Sequence, residues 1–405
     1  MATIREQILM PSPAMTPGGK AALRPDRRLM ALCAAAGGFE LVVGFVYPAV
    51  ALNLELQGVS ADMIGYQAAM IGLGMALSPL AVPWLAGWFG TMRLCAANIM
   101  LGLLALLAFA MSDSVGTWLL VSLIFGMATS IWYVQSETWI NQVAGEPSRG
   151  RAIGLFSTLR EGGLGLGPLL IPVLGCVGFL PYGIAAVMLL LAGLPLLALN
   201  GSVPHPRPPR IGEIAAVGRT APILMLAVAV GAFFDGSVLP FWAIHGLEQG
   251  LPKDAAVLGL SLIKLGNIAL QLPLGWVADR SSPRTVFLGC VIGTAIGAAC
   301  LPLLDLTSWL AWPYLLVWGA CGFGIFTMSL VQIGQRLIGP ALFLGTAACG
   351  TMWGLGAFAG SAITGTFMAA FGALGLPASI LSACVLLLVA IIIAHTCRKP
   401  VRPLP

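Results

Sequence analysis

Apolar runs of about 20 residues recur along the chain, separated by glycine, proline or charged positions. A helix rises about 1.5 Å per residue, so each run can cross the hydrocarbon core of a bilayer. Twelve spans are predicted, first over 29–53, 61–88, 94–112, 116–141, 152–176 and 178–199. The second six cover 221–245, 255–279, 285–304, 311–334, 345–370 and 377–395. The first run is too long, and lacks the small-residue cleavage pattern, for a removable signal peptide.

Positive charge orients the array. Alternate connections place Arg27, Arg28, Arg93, Arg149, Arg151, Arg207, Arg210, Arg219, Arg280, Arg284, Arg336 and both tails on one side. The other side receives Lys253 with Glu55, Asp62, Asp113, Glu248, Asp254 and Asp305. Arg and Lys collect on the cytoplasmic face, so both termini are expected there. Trp118, Trp309 and Trp312 near outer ends and Trp88 and Trp276 near inner ends fit interfacial belts.

The connection at 200–220, GSVPHPRPPRIGEIAAVGRTA, is Pro-rich and basic and reads as a linker between two halves. The expected organisation is a cytoplasmic tail (1–28), a six-helix bundle (29–199), the linker (200–220), a second six-helix bundle (221–395) and a cytoplasmic tail (396–405). The halves resemble each other at an offset of 192 to 195 residues: Gly58 and Asp62 match Gly250 and Asp254, and Phe39-Glu40 matches Phe234-Asp235. Such a repeat suggests two bundles with a site between them near the midplane.

Composition sharpens this. Of 405 residues 59% are hydrophobic and 9% charged, against roughly a quarter charged in soluble domains. A soluble enzyme, a nucleic-acid binder and a disordered scaffold are all excluded. The net charge of +5 follows from topology, since no basic run sits on a soluble module. Nine scattered cysteines form no C-x-x-C or paired framework, and sixteen methionines and three histidines show no M-x-x-x-M or H-x-x-x-M spacing. No metal is expected. His245, at the outer end of the seventh span, is read as a snorkelling or capping residue. No Gly-rich phosphate loop ending in Lys-Ser/Thr is present, so ATP-driven pumping, an enzymatic activity and a bound cofactor are not expected.

Charges inside spans are the candidate chemistry, because each costs about 2.5–3.5 kcal/mol on insertion scales. Glu40, Asp235, Lys264, Arg160 and Glu161 are the expected substrate or proton-coupling residues. Counting from the cytoplasmic ends puts Arg160 about 14 Å deep, Glu40 about 16 Å, and Asp235 and Lys264 about 21 and 22 Å. Two pairs are expected, Glu40 with Arg160 and Asp235 with Lys264. Glu161 is left over, since adjacent helical residues do not face each other, and an unpaired carboxylate there is a candidate proton carrier. The alternative is that all five hold helices together within bundles. Trp132, Tyr133, Phe233, Trp242 and Trp353 are candidates for an aromatic wall, each also explained by packing.

A second group lies at the cytoplasmic ends. Glu137, twelve residues before Arg149-Gly150-Arg151, is expected to reach that basic loop as a latch. Asp279, Arg280 and Arg284 close the eighth span in a turn that can bridge helices in one conformation and release them in another; the matching turn of the first half keeps Gly90 and Arg93 but has Gly87 in place of the acid. On the fifth span Gly154, Gly163, Gly167 and Pro168, followed by Ile171-Pro172, allow close helix contact and a kink.

Two halves, a basic linker and G-W-V-A-D-R-S-S-P-R at 275–284 resemble the major facilitator superfamily over residues 29 to 395. S-E-T-W-I-N…S-R-G-R-A-I-G at 136–154 is similar to its bacterial YcaD-like branch. The resemblance implies an all-α, twelve-helix transporter with pseudo-symmetric bundles, a cavity lined by spans 1, 4, 7 and 10, and a gate of Asp279, Arg280 and Arg284. It also implies that the Gly154, Gly163, Gly167-Pro168 series is most of an antiporter motif, with Ile171-Pro172 replacing the usual final glycine pair. The expectation is a monomeric transporter in a bacterial inner membrane, surrounded by lipid, exporting a small organic molecule in exchange for protons. Uptake by the same fold and a non-transporting assembly factor or sensor are the alternatives.

Overall fold

The structure, a computed structural model, describes residues 27–112, 114–143, 149–198, 216, 218–337 and 340–396. All regular structure among the described residues is helical. The helices are α1 (Arg27–Leu56), α2 (Ala61–Phe89), α3 (Thr91–Met111), α4 (Val115–Val143), α5 (Arg149–Leu166), α6 (Phe179–Gly193), α7 (Pro222–Glu248), α8 (Lys253–Arg280), α9 (Pro283–Cys300), α10 (Ala311–Arg336), α11 (Pro340–Phe371) and α12 (Gly375–Thr396). The expected spans fall on these helices, mostly displaced by two or three residues at their ends. Arg27 and Arg28, expected in the tail, open α1.

The fifth span departs from expectation. It is not one helix over 152–176: α5 passes at Gly167 into a 3₁₀ turn, Gly167–Leu170, and then a single α-turn, Ile171–Leu174. Pro168 and Pro172 each lack an N–H to donate to the helical ladder, and the chain tightens where those bonds are missing.

Eight stretches of described residues are long and apolar enough to cross a membrane. They are α1, α3, α4, α6 with its short extension, α7, α9 with its extension, α10, and a 53-residue stretch, Leu344–Thr396, that takes in α11 and α12. α5 is not among them, because Arg149, Arg151, Arg160 and Glu161 share its 18 residues. Large apolar side chains lie open on the outside of the array: Val173, Leu191, Leu303, Ile392 and Ile393 are all more than half exposed. A soluble monomer rarely leaves so much apolar surface uncovered; lipid tails are its natural solvent.

Packing repeats the sequence offset. In the first six helices α1 packs on α5 and α6, α2 on α4, and α3 on α4 and α6. In the second six α7 packs on α11 and α12, α8 on α10, and α9 on α10 and α12. The wiring is the same. Pro48 inside α1 and Pro240 inside α7 stand at the 192-residue offset. So do Gly58 and Gly250, whose φ of 75° and 84° allow the turns into α2 and α8 that a side chain would strain. The two sets of helices meet along α2–α11, α5–α8 and α1–α7.

The α2–α11 seam is closed toward the end that the charge pattern assigns to the outside. Gly65 and Gly365 touch backbone to backbone, as do Gly72 with Phe358 and Gly354 with Ala76. Toward the other end the packing loosens: among the described residues a Cβ on Gly350 would meet nothing nearer than the Pro79 side chain, at 4.0 Å, and Trp84 and Trp88 are exposed.

Two expectations about the ends are corrected. Trp118 does not sit in an interfacial belt; it is buried, edge-on to Phe109 and Tyr182, with its indole N–H donating to the Ser112 carbonyl. His245 does not snorkel. It is 1% exposed and packs on Trp242. Trp88, Trp276 and Trp309 are exposed, as a belt requires. In the loop before α10, the hydroxyl and amide of Thr307 donate to Asp305 and hold its carboxyl below the usual range.

Candidate functional site

Five helices, α1, α4, α5, α7 and α8, bring the intramembrane charges together. On α1, Glu40 lies with Phe39, which stacks on Trp132 of α4 at 5.1 Å between ring centroids. That contact places the next α4 residue, Tyr133, against the acid. The Tyr133 hydroxyl donates to Glu40 Oε2 at 3.1 Å, while Oε1 is buried without a hydrogen-bond partner. One turn further along α4 stands Glu137. An i, i+4 step keeps both residues on one face, and that face meets α5.

Arg160 of α5 is shared. Its Nη1 donates to Glu137 Oε1 at 3.1 Å and its Nη2 to Glu161 Oε1 at 3.0 Å, with the guanidinium carbon 5.5 Å from the Tyr133 ring centre. The expected Glu40–Arg160 pair is therefore not formed: Glu40 takes a phenol and Arg160 takes two other carboxylates. Glu161 is not left over either. Cβ vectors of adjacent helical residues diverge, but arginine's long stem lets its planar head turn back to the neighbouring carboxylate. Glu161 Oε2 accepts from Asn267 Nδ2 on α8 at 3.1 Å, so its contacts reach across to the second set of helices.

On that second side Lys264 of α8 forms an ion pair with Asp235 of α7, the other expected pair. The Lys264 ammonium lies 4.6 Å from the ring centre of Phe323 on α10, a cation–π contact. Asn267 is three residues beyond Lys264 and so shares its face. Tyr47 of α1 is within electrostatic reach of both Asp235 and Glu40 and donates to Met75 Sδ at 3.5 Å. Glu40 in turn is within reach of Arg160, Glu161 and Lys264.

Solvent exposure is graded along this cluster. The Glu137 side chain is 49% exposed, Arg160 22%, Glu161 23%, Asp235 15% and Lys264 2%, and Glu40 is 1% exposed. The polar groups thus step from an accessible end, on the side where the α2–α11 packing loosens, to a sealed interior. Four carboxylates (Glu40, Glu137, Glu161, Asp235) stand against two cations (Arg160, Lys264). The arrangement can take up cations or protons.

The latch and gate residues fall differently. Glu137 meets Arg160, about three turns into α5, rather than serving the basic loop alone; the side chains of Arg149 and Arg151 lie outside the described residues. The Asp279 side chain also lies outside them. Arg280 stacks over Trp276 of its own helix at 3.5 Å, and Arg284 and Arg93 are exposed. On α5, a Cβ on Gly163 would run into the Gly37 carbonyl of α1, and one on Gly167 into the backbone at Leu41 and Gly44. A Cβ on Gly154 would meet nothing within 4 Å among the described residues, so close contact holds for two of the three glycines. Of the aromatic candidates, Trp132 and Trp242 are buried in packing and Tyr133 alone bonds to the charge cluster.

Asn267 was not evident from sequence as a site residue. The signal available was its spacing from Lys264, as Tyr133's was its spacing from Glu137. Among the described residues no group of three or more His, Cys, Asp or Glu could hold a metal ion.

Comparison with known proteins places the chain and its fold. The family model described as Major Facilitator Superfamily matches residues 29–343. The chain is 23% identical over 343 residues to the uncharacterized MFS-type transporter YfkF of Bacillus subtilis (strain 168), covering 81% of this chain and 85% of that protein. Its fold is similar to the crystal structure of the nucleoside transporter NupG, with a TM-score of 0.73 at 14% identity over 92% of this chain and all of that one. It is also similar to a bacterial homolog of the human lysosomal transporter Spinster in an inward-facing and occupied conformation, with a TM-score of 0.72 at 14% identity over 91% and 95% of the two chains.

Proposed function

The chain belongs to the Major Facilitator Superfamily, and from that premise we propose that it is a proton-coupled secondary transporter exporting a small organic molecule. In this reading residues 29–199 and 221–395 form two six-helix halves, joined by the 200–220 linker, with both tails (1–28 and 396–405) cytoplasmic. The protein works as a monomer in a bacterial inner membrane and falls in the YcaD-like branch.

The observation that carries the coupling is the imbalance of charge at mid-depth. Both cations are already met by carboxylates, Arg160 by two and Lys264 by one. Glu40 is sealed with one oxygen unpartnered. A buried unpaired charge is expensive, and a proton on Glu40 removes that expense. When the halves rock and water reaches Glu40, the proton can leave. Substrate enters by the graded opening at Glu137, Arg160 and Glu161 and competes there for the same carboxylates. Asp279, Arg280, Arg284 and Arg93 are read as the inner gate.

Export is favoured by the close α1–α5 contact at Gly163 and Gly167. The free space at Gly154 favours uptake by the same fold as the second reading. Purified protein in liposomes carrying a pH dye, challenged with a compound library, separates the readings. Some compound should drive proton movement that Glu40→Gln and Asp235→Asn each abolish. Undiminished proton exchange in both variants overturns the assignment, and a scaffold or sensor would move no protons at all.

A further inference from the structure

Among the described residues, one of the mid-depth charges is seen bonded to both halves at once. Glu161 offers Oε1 to Arg160 of its own helix and Oε2 to Asn267 of α8. Asn267 is 6% exposed, whereas Glu161 is about one quarter open to solvent. A carboxylate that water can reach is thus bonded to an amide that is fixed in the facing half.

The chemistry of the amide matters. Asparagine carries two donors and an acceptor. Toward an ionised Glu161 it donates through Nδ2, as seen; toward a protonated Glu161 it can turn and accept the acid O–H through Oδ1. A lysine would pin the negative form, an aspartate would oppose it, and a leucine would leave Oε2 without a partner. Asn267 is therefore a side chain that can stay bonded in both charge states while reversing the direction of the bond. It stands one turn from Lys264, whose ammonium holds Asp235 of α7.

We propose that Asn267 is a positioning residue for transport, which couples the charge state of Glu161 in the first half to the Lys264–Asp235 pair of the second without itself carrying a proton. This rests on the proton-coupled reading above. Proton uptake at Glu161 weakens its bond to Arg160, which then stays with Glu137. It also reverses the Asn267 amide, which stands one turn from Lys264 on the same face of α8. The groups that face Glu161 are Arg160 on its own helix, Tyr133 on α4, Glu40 on α1 and Asn267 on α8, while Glu137 of α4 shares the Arg160 guanidinium with it and Lys264 of α8 acts on the neighbouring Glu40. Of the groups that face it, Asn267 belongs to the second half.

The test needs no substrate, because the proton is the probe. Spin labels introduced as unnatural amino acids at the exposed positions Trp88 and Val277 report the distance between α2 and α8 at their inner ends. Wild-type protein in nanodiscs should change its distance distribution across one pH transition. Asn267→Leu should flatten that transition. Asn267→Asp should move its midpoint to higher pH by about one unit, a tenfold change in proton affinity, because two facing carboxylates share a proton. Asn267→Gln should restore most of the response, and the exchange Glu161→Asn with Asn267→Glu should restore the transition where either half alone does not. Infrared difference spectra supply the second readout: a protonated-carboxyl band lost in Glu161→Gln should shift in folded Asn267→Leu. A wild-type midpoint and an unshifted band in Asn267→Leu overturn the proposal while leaving proton coupling intact. A wild-type protein with no pH transition overturns both.

Discussion

Tyr133 of α4 donates its phenol to Glu40 of α1 over 3.1 Å, and among the described residues Glu40 has no other hydrogen bond. One neutral donor thus serves the most deeply sealed acid among the described residues. Hydrogen bonds to charged groups are worth about 1.5–3 kcal/mol, so Tyr133→Phe should change the proton affinity of the site by about one to two orders of magnitude. The check is the pH dependence of proton exchange in liposomes. An unchanged profile would show that Glu40 is not the titrating group.

Removing one member of the Lys264–Asp235 pair should be worse than removing both. Lys264→Met leaves Asp235 facing a buried space with no counter-charge. Breaking a buried pair in this way costs about 3–5 kcal/mol, whereas replacing both partners is often neutral. Thermal unfolding in detergent should show a lower melting temperature for Lys264→Met than for Lys264→Met combined with Asp235→Asn. Neither variant should exchange protons.

Arg160→Lys should fail as a conservative change. A guanidinium can hold Glu137 with one arm and Glu161 with the other, as it does here, and an ammonium is a compact point charge with no such fork. Transport is expected to fall at least tenfold, or about 1.4 kcal/mol, with expression and melting temperature little changed. Transport rates of the folded variant decide the matter.

Gly154, Gly163 and Gly167 of the fifth span should part company on mutation. Gly163→Ala and Gly167→Ala force α5 off the backbone of α1, and overpacking of this kind costs about 1–3 kcal/mol. Gly154→Ala meets open space and should be neutral in stability. Melting temperatures of the three variants give a direct ranking.

Much of the fold was legible because the bilayer imposes one strong rule on sequence, an apolar run of fixed length. Helices α1, α3, α4, α6, α7 and α9 through α12 follow that rule. Helix α5 obscured it, since Arg160 and Glu161 belong to the site and Pro168 and Pro172 break the ladder. The composition of the charge cluster was legible for the same reason: charges at mid-depth are conspicuous. Its pairing was not. Depth along a helix follows from counting, but which face a residue presents depends on how neighbouring helices rotate, and here Arg160 turns toward Glu137 and away from Glu40. Long side chains add reach that adjacency rules omit, as the Arg160–Glu161 contact shows. Asn267 escaped notice, and Tyr133 was expected only as an aromatic-wall candidate, because a neutral polar residue in a span has little insertion penalty to betray it.

The central claim is that these charges border a path that opens to one face at a time. Two distances read it together: between Trp88 and Val277 at the inner ends, and between Gln57 and Gln249 at the turns after α1 and α7. Both pairs can be followed by spin labelling in the same nanodiscs as pH is varied. The account predicts opposite movements, the inner pair closing as the outer pair opens, with Asp235→Asn locked in one state. Inner and outer distances that move in the same direction, or a Gln57–Gln249 distance that never changes, would contradict it.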